Sequence, residues 1–583
     1  MTFSFSGKTC GLMAAALIFC CTSCVSTKYE LGENLIPDSQ LYNVYSAEFP
    51  LEDIEMKMLD SLSGYSTKRI TIGAIRDEEF GLTTRGCALT LVPVRHDINF
   101  GSNPEFKYFH LAAVKDTVNV ADSREKNILQ NINVYELSEP MDFNIVNLNT
   151  SIAHEPQRIT NGIPVYNGKD SLSLNFNRTF GDKYLTMKAS DLVDMETYLK
   201  KFPGIYIDTD EPVGNGGRIN MFQLQLGVNA SYGYLTKNYA ELGFSAEYDG
   251  EKKDTAFYFM LSPTYMYTID SLITVQQQQG YSTFTFPQYC FNATSHETRD
   301  REGKVTDKIC IEGGGGLKAV FSAQEIADKI KAEIAKNGDP EDAVIARASL
   351  ILPFEFPDDY RNMFQYPDYI SPTCRIAATD ENGNRFVSFA SVTDVTSKQE
   401  DPGTLNRSLL QYAPDITYHV QQLIGMKEGV NLSNYDIWTL LMSTEEEKVD
   451  ADAEESQMNE YMNALMMQQY MSSLYGYGGY GGYGGYGYGG YGYGGYGGYG
   501  GYGYDPYGYG YGGYGYGGYG YGYNNYYSMM LASQYAAGSS SSSTTTSVEM
   551  DKDRYFKAVL NGPQAENGRV PMMKITYALP KGK

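Results

Sequence analysis

The segment Ile219-Asn-Met-Phe-Gln-Leu-Gln-Leu226 alternates apolar and polar side chains over most of its length. Successive side chains of a β-strand point to opposite faces, so this period of two predicts a strand with one face in a core and the other in water. The same pattern returns between turn residues at Ala88–Val94, Ile132–Leu137, Leu242–Tyr248, Ala348–Phe354 and Met572–Leu579. Many short strands of this kind predict a mainly β chain of tandem jelly-roll-like β-sandwich domains.

One helix stands out from the strand pattern. Ser322-Ala-Gln-Glu325 has the form of a capping box, with Ser322 as N-cap and Glu325 three positions later. Ile326, Ile330 and Ile334 then lie on one helical face, and Asn337-Gly338 supplies a stop signal. The pattern predicts a crossover helix packed on a sheet; a partner-binding helix is the alternative.

The N-terminus has the pattern of a bacterial lipoprotein signal. Lys8 is followed by the apolar run Gly11–Phe19, which is about half the length needed to span a bilayer. Cys20-Cys-Thr-Ser-Cys24 then places small residues before a cysteine, as a lipoprotein signal peptidase requires. We expect a signal peptide at 1–23, a lipid anchor on Cys24 and a linker to residue 45. An ordinary secretory signal or a short membrane anchor is the alternative.

Four cysteines follow the expected anchor: Cys87, Cys290, Cys310 and Cys374. The cell envelope is oxidising, and Cys290 and Cys310 lie in two adjacent strand-like runs, so this pair is the candidate disulfide. Four cysteines allow three full pairings, and the sequence leaves the choice open. No Cys or His spacing is typical of a zinc site, so neither a metal nor a cofactor is expected.

The charge balance restricts the partners. The chain has 46 Lys and Arg against 70 Asp and Glu, a net charge of −24. Affinity for nucleic acid comes mainly from cations that meet phosphates, so the balance argues against a nucleic-acid partner. It also disfavours docking on an anionic lipid surface, and it favours solubility at the end of a lipid tether.

Residues 444–547 interrupt the strand pattern. An acidic stretch leads into Met458–Met466, whose apolar residues follow helical spacing and would pack on their own domain or bind a partner or membrane surface. A Gly-Tyr tract follows Leu474 and reaches about Tyr527, and Ser539–Ser547 forms a polar spacer. Glycine at this density disfavours a fixed core, so we expect a disordered, associative insertion, with dry β-stacking as the alternative.

The strand pattern resumes at Tyr555–Leu560, so the Gly-Tyr tract reads as a long loop inserted before the last strands of a domain. A charged turn after Tyr248 suggests a domain boundary near residue 250. We therefore expect a first sandwich domain at 46–250 and a second at 251–443 plus 548–583.

No catalytic motif is legible. The histidines His96, His110, His154, His296 and His419 are scattered, and no Gly-x-Ser-x-Gly element is present, although a Ser-His-Asp arrangement stays open. Gly313–Gly316 lacks the Gly-Lys-Ser/Thr ending of a phosphate loop and predicts a tight turn. Asp380–Asn384 resembles a calcium loop, but a hairpin turn explains it as well.

Several motifs, taken in order, resemble one known family. They are Tyr29–Pro37, Gly73–Gly81, Asn133–Leu137, Phe202–Ile207, Ile311–Leu317, Ala346–Leu350, Tyr418–Gln422 and Lys574–Tyr577. The chain resembles the Bacteroidota outer-membrane lipoprotein family catalogued as domain of unknown function 4270, over about 28–440 and 550–579. It departs from the family pattern at Phe202-Pro203, at Tyr418-His419 and in the Gly-Tyr insertion. The resemblance implies a lipid-anchored outer-membrane protein with jelly-roll-like sandwiches, and it brings no catalytic residues.

Five Asp-Ser or Asp-Thr pairs before an apolar residue are similar to the O-glycosylation acceptor pattern of exported Bacteroidota proteins. Their candidate acceptors are Ser61, Thr117, Ser171, Thr255 and Ser271. An acidic residue leading into a strand is the simpler explanation of the same pattern.

The sequence thus favours a non-enzymatic, lipid-anchored outer-membrane protein that is exposed on the cell surface rather than in the periplasm. Its expected role is a scaffold or accessory subunit that docks on an outer-membrane β-barrel or another envelope protein, in barrel assembly or transport. The alternative is a cell-surface module that binds glycans or other ligands. An envelope hydrolase is a third hypothesis, which no residue constellation supports.

Overall fold

A computed structural model describes residues 41–581 except 61, 67, 96, 117–127, 142–146, 230–233, 263–282, 287, 380–384, 394–400, 402, 428, 450–542 and 555. The signal peptide, Cys24 and most of the linker lie outside these residues. So do the Met458–Met466 segment, the Gly-Tyr tract and the Asp380–Asn384 loop.

The described residues form a mainly β structure of antiparallel sheets, as the alternating sequence predicts. Its strands, in chain order, are β1 (Tyr42–Pro50), β2 (Ile54–Met58), β3 (Tyr65–Ser66), β4 (Arg69–Asp77), β5 (Gly81–Leu89), β6 (Leu91–Pro93), β7 (Ser102–Val114), β8 (Gln130–Leu137), β9 (His154–Arg158), β10 (Val165–Tyr166), β11 (Ser171–Asn175), β12 (Ile205–Thr209), β13 (Gly216–Gln223), β14 (Leu226–Asn229), β15 (Tyr234–Lys237), β16 (Ala240–Tyr248), β17 (Glu251–Leu261), β18 (Thr283–Phe286), β19 (Cys290–His296), β20 (Gly303–Lys304), β21 (Lys308–Glu312), β22 (Leu317–Phe321), β23 (Val344–Pro353), β24 (Tyr369–Thr379), β25 (Arg385–Ser391), β26 (Gln411–Tyr412), β27 (Ile437–Val449), β28 (Ser543–Met550), β29 (Lys557–Asn561) and β30 (Met572–Pro580).

The α-helices of the described residues are few and short. They are α1 (Arg178–Leu185), α2 (Met195–Lys201), α3 (Ala323–Ile334) and α4 (Thr417–Gly425). Single 3₁₀ turns add Ala189–Leu192, Glu297–Arg301, Pro340–Asp342, Tyr360–Gln365 and Leu432–Tyr435. Among the residues described, no helix is both long and apolar enough to cross a membrane.

Strands β3 to β19 form a first lobe. One of its sheets has the order β10-β8-β12-β5-β19-β3, with β9 paired to β8 and β4 joining β5 to β13. A second sheet has the order β11-β7-β16-β17-β6, and a third the order β15-β14-β18. Apolar side chains from the first two sheets, such as Ile132 and Ile205 on one and Phe109 and Phe244 on the other, share one buried core. The lobe is therefore a sandwich, as expected from its sequence.

Strands β1, β2 and β20 to β30 form a second lobe. Its main sheets have the orders β1-β30-β23-β26 and β20-β2-β22-β27-β24-β25, with β28 added at β27, and β21 pairs with β29 separately. Apolar residues from these strands join residues of α3 and α4, such as Ile330 and Leu423, in a second core. The predicted closing strand is confirmed as β30, which lies between β1 and β23.

The lobes divide the chain differently from the predicted boundary near residue 250. Strand β17, which follows that point, pairs along its length with β16, and β19 pairs with β5, so the first lobe continues to His296. Strands β1 and β2 pair instead with β30 and β22 of the second lobe. The first lobe is thus an insertion within the second, because both ends of the described chain belong to the second lobe.

The predicted helix is confirmed as α3. The Ser322 side chain accepts a hydrogen bond from the backbone N–H of Glu325, and Ile326, Ile330 and Ile334 are buried. The helix connects β22 in one sheet with β23 in another and packs against the shared core. The second half of the predicted capping box is wrong, because the Glu325 carboxylate accepts from the backbone N–H groups of Glu52 and Asp53 instead.

The long insertion lies between two paired strands. β27 and β28 form an antiparallel pair from Met442 opposite Met550 to Val449 opposite Ser543. Residues 450–542 therefore connect the two strands of one hairpin, which confirms that the Gly-Tyr tract is inserted before the last strands and does not form a tail. The strands extend into the range that the sequence assigned to the insertion, which began at 444.

Candidate functional site

Only some of the residues singled out for modification lie within the described part of the chain. Cys24, Ser61, Thr117 and Ser271 lie outside the described residues. Ser171 on β11 and Thr255 on β17 are exposed. Both are accessible to a modifying enzyme, so their glycosylation stays a prediction.

The expected disulfide between Cys290 and Cys310 is not formed. Both are buried free thiols, as are Cys87 and Cys374. Cys290 belongs to the first lobe, where its thiol donates to the carbonyl of Arg69, whereas Cys310 belongs to β21 of the second. Burial raises the pKa of the Cys290 thiol, and the neighbouring thiol of Cys87 raises it further. The cysteine beside Cys290 is therefore Cys87 and not Cys310. The two strand-like runs are adjacent in the sequence, but Cys290 and Cys310 lie in different lobes and their thiols do not meet.

Within the described part of the chain, several ionisable side chains form a buried charge cluster at the contact between the lobes. We define it as His296, Thr298, Glu312, Lys318, Arg85 and Asp551, all of which are buried. His296 and Arg85 belong to first-lobe strands, whereas Glu312, Lys318 and Asp551 belong to the second lobe. The cluster surrounds the turn Gly313–Gly316, which the sequence correctly predicted as a turn between strands.

Glu312 is the anionic centre of the buried charge cluster. Its Oε1 lies 3.3 Å from Nδ1 of His296, its Oε2 accepts a hydrogen bond from the Thr298 hydroxyl, and the side chains of Glu312 and His296 are each 1% exposed. Burial works to raise the pKa of Glu312, but His296 and Thr298 outweigh it and lower that pKa below its usual value. Glu312 is therefore held ionised inside the protein.

Lys318 closes the same turn from the other side. Its ammonium donates to the carbonyl oxygens of Gly314 at 3.1 Å and Gly316 at 3.0 Å, and to that of Glu312. Burial lowers the pKa of Lys318 to about 7, against the attraction of Glu312 and Asp551. Three carbonyl acceptors match the three N–H groups of a protonated lysine, so the turn is built around the charged form.

Arg85 and Asp551 complete the contact between the lobes. The Arg85 guanidinium donates to the carbonyl oxygens of Lys552 at 2.7 Å and Arg554 at 3.2 Å. The Asp551 carboxylate accepts from the backbone N–H groups of Arg554 at 2.8 Å and Phe556 at 3.2 Å. Burial raises the pKa of Asp551 to about 7, although Arg85 opposes the shift. A first-lobe arginine thus holds the segment that links β28 to β29.

The buried charge cluster is suited to holding the lobes together. Its charges are paired or hydrogen-bonded, which removes most of the cost of burying them, and loss of one partner would leave a buried charge uncompensated. A substrate would have to reach groups that are almost fully enclosed. The one sequence signal for the cluster is Lys318, a charged residue at the second position of the otherwise apolar strand Leu317–Phe321.

A cysteine and a histidine meet in the second lobe, but their electrostatics oppose nucleophilic chemistry. Cys374 Sγ lies 4.0 Å from Nδ1 of His419, whose Nε2 is 3.1 Å from the carbonyl oxygen of Tyr435. Burial raises the pKa of the Cys374 thiol to about 12 and lowers the pKa of His419 to about 4. Nucleophilic cysteines need the thiolate, so these shifts favour a neutral core pair.

Aromatic rings collect on the outer face of the first lobe. Tyr135 on β8 and Tyr206 on β12 lie directly opposite each other, and the ring of His154 is nearly parallel to both. Its centroid is 4.3 Å from that of Tyr135 and 5.1 Å from that of Tyr206, and all three residues are half-buried. We call these three residues the aromatic strip. No pattern in the sequence locates this group, because its members come from three strands that are far apart along the chain.

Amides and carboxylates continue the aromatic strip along the same face. Asn133 donates to Oδ1 of Asp208 and Oδ1 of Asp210, each at 3.0 Å, and accepts from Nε of Arg158 at 2.9 Å. Asn131 donates to Oδ2 of Asp210 at 2.7 Å. Burial raises the pKa of Asp208, whereas the two asparagine amides lower that of Asp210. Rings beside planar hydrogen-bonding groups can stack on a sugar ring and bind its hydroxyl groups.

Another surface feature is a shallow depression of about 360 Å³ at the base of the β27–β28 hairpin, lined by Asp368, Tyr369, Thr404, Leu405, Arg407 and Thr444. It opens widely to solvent. Within the described ranges, no three His, Cys, Asp or Glu side chains are grouped so that they could hold a metal ion.

The chain was compared with protein-family models, curated proteins and solved structures, and none of them matches it. The roles of the aromatic strip and of the buried charge cluster are therefore inferred from their geometry and chemistry.

Proposed function

We propose that this protein is a non-catalytic outer-membrane lipoprotein, displayed on the cell surface, that acts as a scaffold or accessory subunit of an outer-membrane protein complex in barrel assembly or transport. The N-terminal signal and Cys24 support the anchor, and the ordered motifs that resemble a Bacteroidota lipoprotein family support the same reading. The ionisable groups of the buried charge cluster support a structural role, because they are enclosed and most of their polar atoms are paired or hydrogen-bonded within the protein.

The observation that carries the proposal is the pairing of Val449 with Ser543. These residues close the β27–β28 hairpin around residues 450–542, so the stretch of chain that contains the Gly-Tyr tract starts and ends at neighbouring strands of one sheet. Tyrosine side chains provide large contact areas and a hydrogen-bonding hydroxyl, which is why they are frequent at protein interfaces. A sandwich body that holds a tyrosine-rich segment on a hairpin is suited to capturing a partner.

The hairpin also offers a clean test. Joining Val449 to Ser543 through Asn-Gly replaces the insertion by a two-residue turn that antiparallel strands accept. We expect this deletion variant to fold and to lose co-purification of a β-barrel protein from gently solubilised membranes. A matched control replaces residues 475–527 by a Gly-Ser segment of equal length, which keeps the spacing and removes the tyrosines.

The outcomes separate the anchor from the scaffold role. Loss of the barrel protein in both variants, with the wild type retaining it, supports capture through the tyrosines. Recovery of the wild type as a bare monomer contradicts the scaffold role. Labelling with a fatty-acid probe tests the anchor independently. Label on the wild type that is lost in Cys24→Ser supports the anchor, whereas absence of label on the wild type contradicts it.

A second candidate function, a cell-surface glycan-binding module, is favoured by the aromatic strip and its carboxylates. We expect a glycan array to detect binding that Tyr135→Ala abolishes. Tyr360→Ala is the matched control, because Tyr360 is a 63% exposed tyrosine on the second lobe. An array without hits for the wild type would remove this candidate and leave the scaffold proposal intact.

A further inference from the structure

The outer face of the β1-β30-β23 sheet changes character along its length. Near one end, Glu48 forms an ion pair with Lys574, and Ser46 bonds to Thr576. Near the other end the outward positions are apolar. Strand β1 pairs Tyr42 with Pro580 and Val44 with Ala578, and Val344 of β23 also pairs with Ala578.

We call these residues, Tyr42, Val44, Val344, Ala578 and Pro580, the apolar end of the sheet. Tyr42 is 52% exposed, Val44 66% and Val344 50%. The alternate positions between them, such as Tyr45 and Tyr577, contact the core. Because side chains alternate between the two faces of a strand, the two valines point outward. A solvated sheet face is normally polar, and a contiguous apolar group on it marks a contact surface.

The position of the apolar end relative to the expected anchor is informative. The described chain begins at Leu41, whose carbonyl oxygen accepts from the backbone N–H of Lys581 at 2.6 Å. Leu41 is therefore fixed beside Tyr42 at the apolar end. Cys24 precedes Leu41 by 17 residues (41 − 24), which can span at most about 60 Å. A lipid on Cys24 therefore tethers the protein to the membrane through this end. The linker needs to extend least when the apolar end is the part that approaches the membrane.

We infer that the apolar end rests on the lipid surface and orients the body on the membrane, a step that rests on the proposed lipid anchor. Tyrosine is enriched at membrane–water interfaces, where its ring meets the acyl boundary and its hydroxyl meets the headgroups. Val44, Val344 and Ala578 add apolar area beside it. The contact needs no charge, which suits a chain of net charge −24.

The geometry also fixes what faces away from the lipid. Along β23, Val344 and Pro353 are separated by about 30 Å, because each residue of a strand rises about 3.3 Å. Phe364, in the 3₁₀ turn beyond Pro353, is 73% exposed and belongs to the opposite end. It is larger, more apolar and more exposed than Val44, so it is a demanding control for non-specific insertion.

The experiment uses residues 24–583 with Cys24 coupled to a maleimide phosphatidylethanolamine in phosphatidylcholine nanodiscs with brominated acyl chains. Coupling is selective because Cys87, Cys290, Cys310 and Cys374 are buried. Artificial coupling makes the result independent of natural lipidation, so it separates this inference from the proposed function. Tryptophan is introduced as Val44→Trp, with Tyr42→Trp as a second probe and Phe364→Trp as control, and the signal of Trp438 is subtracted.

We expect bromine to quench about half of the added emission at Val44→Trp and Tyr42→Trp, because interfacial residues sit within reach of the acyl boundary, and to leave Phe364→Trp unchanged. Equal quenching at both ends, or quenching at Phe364→Trp alone, overturns the inference. Absence of quenching at Val44→Trp together with a dimer that Val44→Glu dissociates would assign the apolar end to a second copy of the chain and also overturn it.

Discussion

Gly313 lies so close to Asp551 that a Cβ on the glycine would come within 2.0 Å of the Oδ2 atom of the carboxylate. The backbone N–H of Gly314 donates to the carbonyl oxygen of Asp551 at 2.7 Å, and that of Gly313 to the carbonyl oxygen of Phe556 at 2.7 Å. The turn and the segment after β28 are therefore fitted directly onto each other. Glycine is required at 313 by contact, and this contact lies at the centre of the buried charge cluster.

Gly313→Ala should lower the free energy of unfolding by about 2–4 kcal/mol, because the added methyl displaces a carboxylate that is held by two backbone N–H groups. Urea denaturation followed by circular dichroism measures the change. Gly214→Ala is the control, since a Cβ there meets nothing within 4 Å. Equal stability of the two variants would contradict the close fit at Asp551.

The sequence predicted the turn at Gly313–Gly316 but not its surroundings. A run of glycines after a strand indicates a turn from local chemistry alone. The partners Asp551 and Arg85 are more than 200 residues away in either direction, and which residues meet depends on how two lobes dock. No local pattern carries that information, so the candidate cluster could not be assembled from the sequence.

Glu312→Gln should destabilise the protein by about 2–4 kcal/mol at neutral pH, because His296 would lose the carboxylate beside it. The pKa of Glu312 is lowered in the folded state, so its stabilising contribution is present above the unfolded pKa of about 4.5 and is lost as the pH falls through the folded value. The difference in unfolding free energy between wild type and Glu312→Gln should therefore shrink below pH 4.5, as measured by urea titrations at several pH values.

Thr298→Val separates the charge from the hydrogen bond at the same carboxylate. This variant removes the hydroxyl that donates to Glu312 but keeps the ionised group and His296. It should lose about 1 kcal/mol and retain the acid-dependent loss of stability of the wild type. The same acid profile for Glu312→Gln and Thr298→Val would show that Glu312 does not carry it.

Lys318→Met should destabilise the protein by about 3 kcal/mol at pH 7, because three buried carbonyl oxygens lose their donor. The folded pKa of Lys318, about 7, is lower than its usual 10.5, so the folded state pays to keep the lysine charged below pH 7. Between pH 7 and about 10.5 the unfolded state binds more protons, and stability rises with pH. The unfolding free energy of wild type should therefore rise relative to Lys318→Met over this range. The exposed change Lys304→Met keeps Lys318, so its unfolding free energy should follow the wild type as the pH rises.

The alternating segment Ile219–Leu226 shows how far periodicity reaches. It predicted a strand, and β13 covers most of it, but only part of its polar face lies in water: Gln225 is exposed and Gln223 is half-buried. Asn220 is buried, donates to the side chain of Gln130 at 2.9 Å and accepts from Nε of Arg218 at 2.6 Å. Periodicity identifies which residues share a face, whereas the environment of each face depends on what packs there. The same limit explains why the predicted domain boundary near residue 250 was wrong. The sequence indicates that β17 and β19 are strands, but it does not indicate which lobe they join.

Glu325 connects the start of α3 to the turn between β1 and β2, a contact that the capping-box pattern assigned elsewhere. Its Oε1 and Oε2 accept from the backbone N–H groups of Glu52 at 2.8 Å and Asp53 at 2.9 Å. Glu325→Ala should lower the unfolding free energy by about 2–3 kcal/mol, since two charge-assisted hydrogen bonds are lost, and Glu325→Gln by about half of that. Asp328→Ala, an exposed change on the same helix, should cost less than about 0.5 kcal/mol. Hydrogen exchange should also show faster exchange at the Glu52 and Asp53 amides in Glu325→Ala alone. If Glu325→Ala matched Asp328→Ala in both measurements, the carboxylate would be only a helix-surface charge, and the tie between β1 and α3 would have to come from the core residues beneath it.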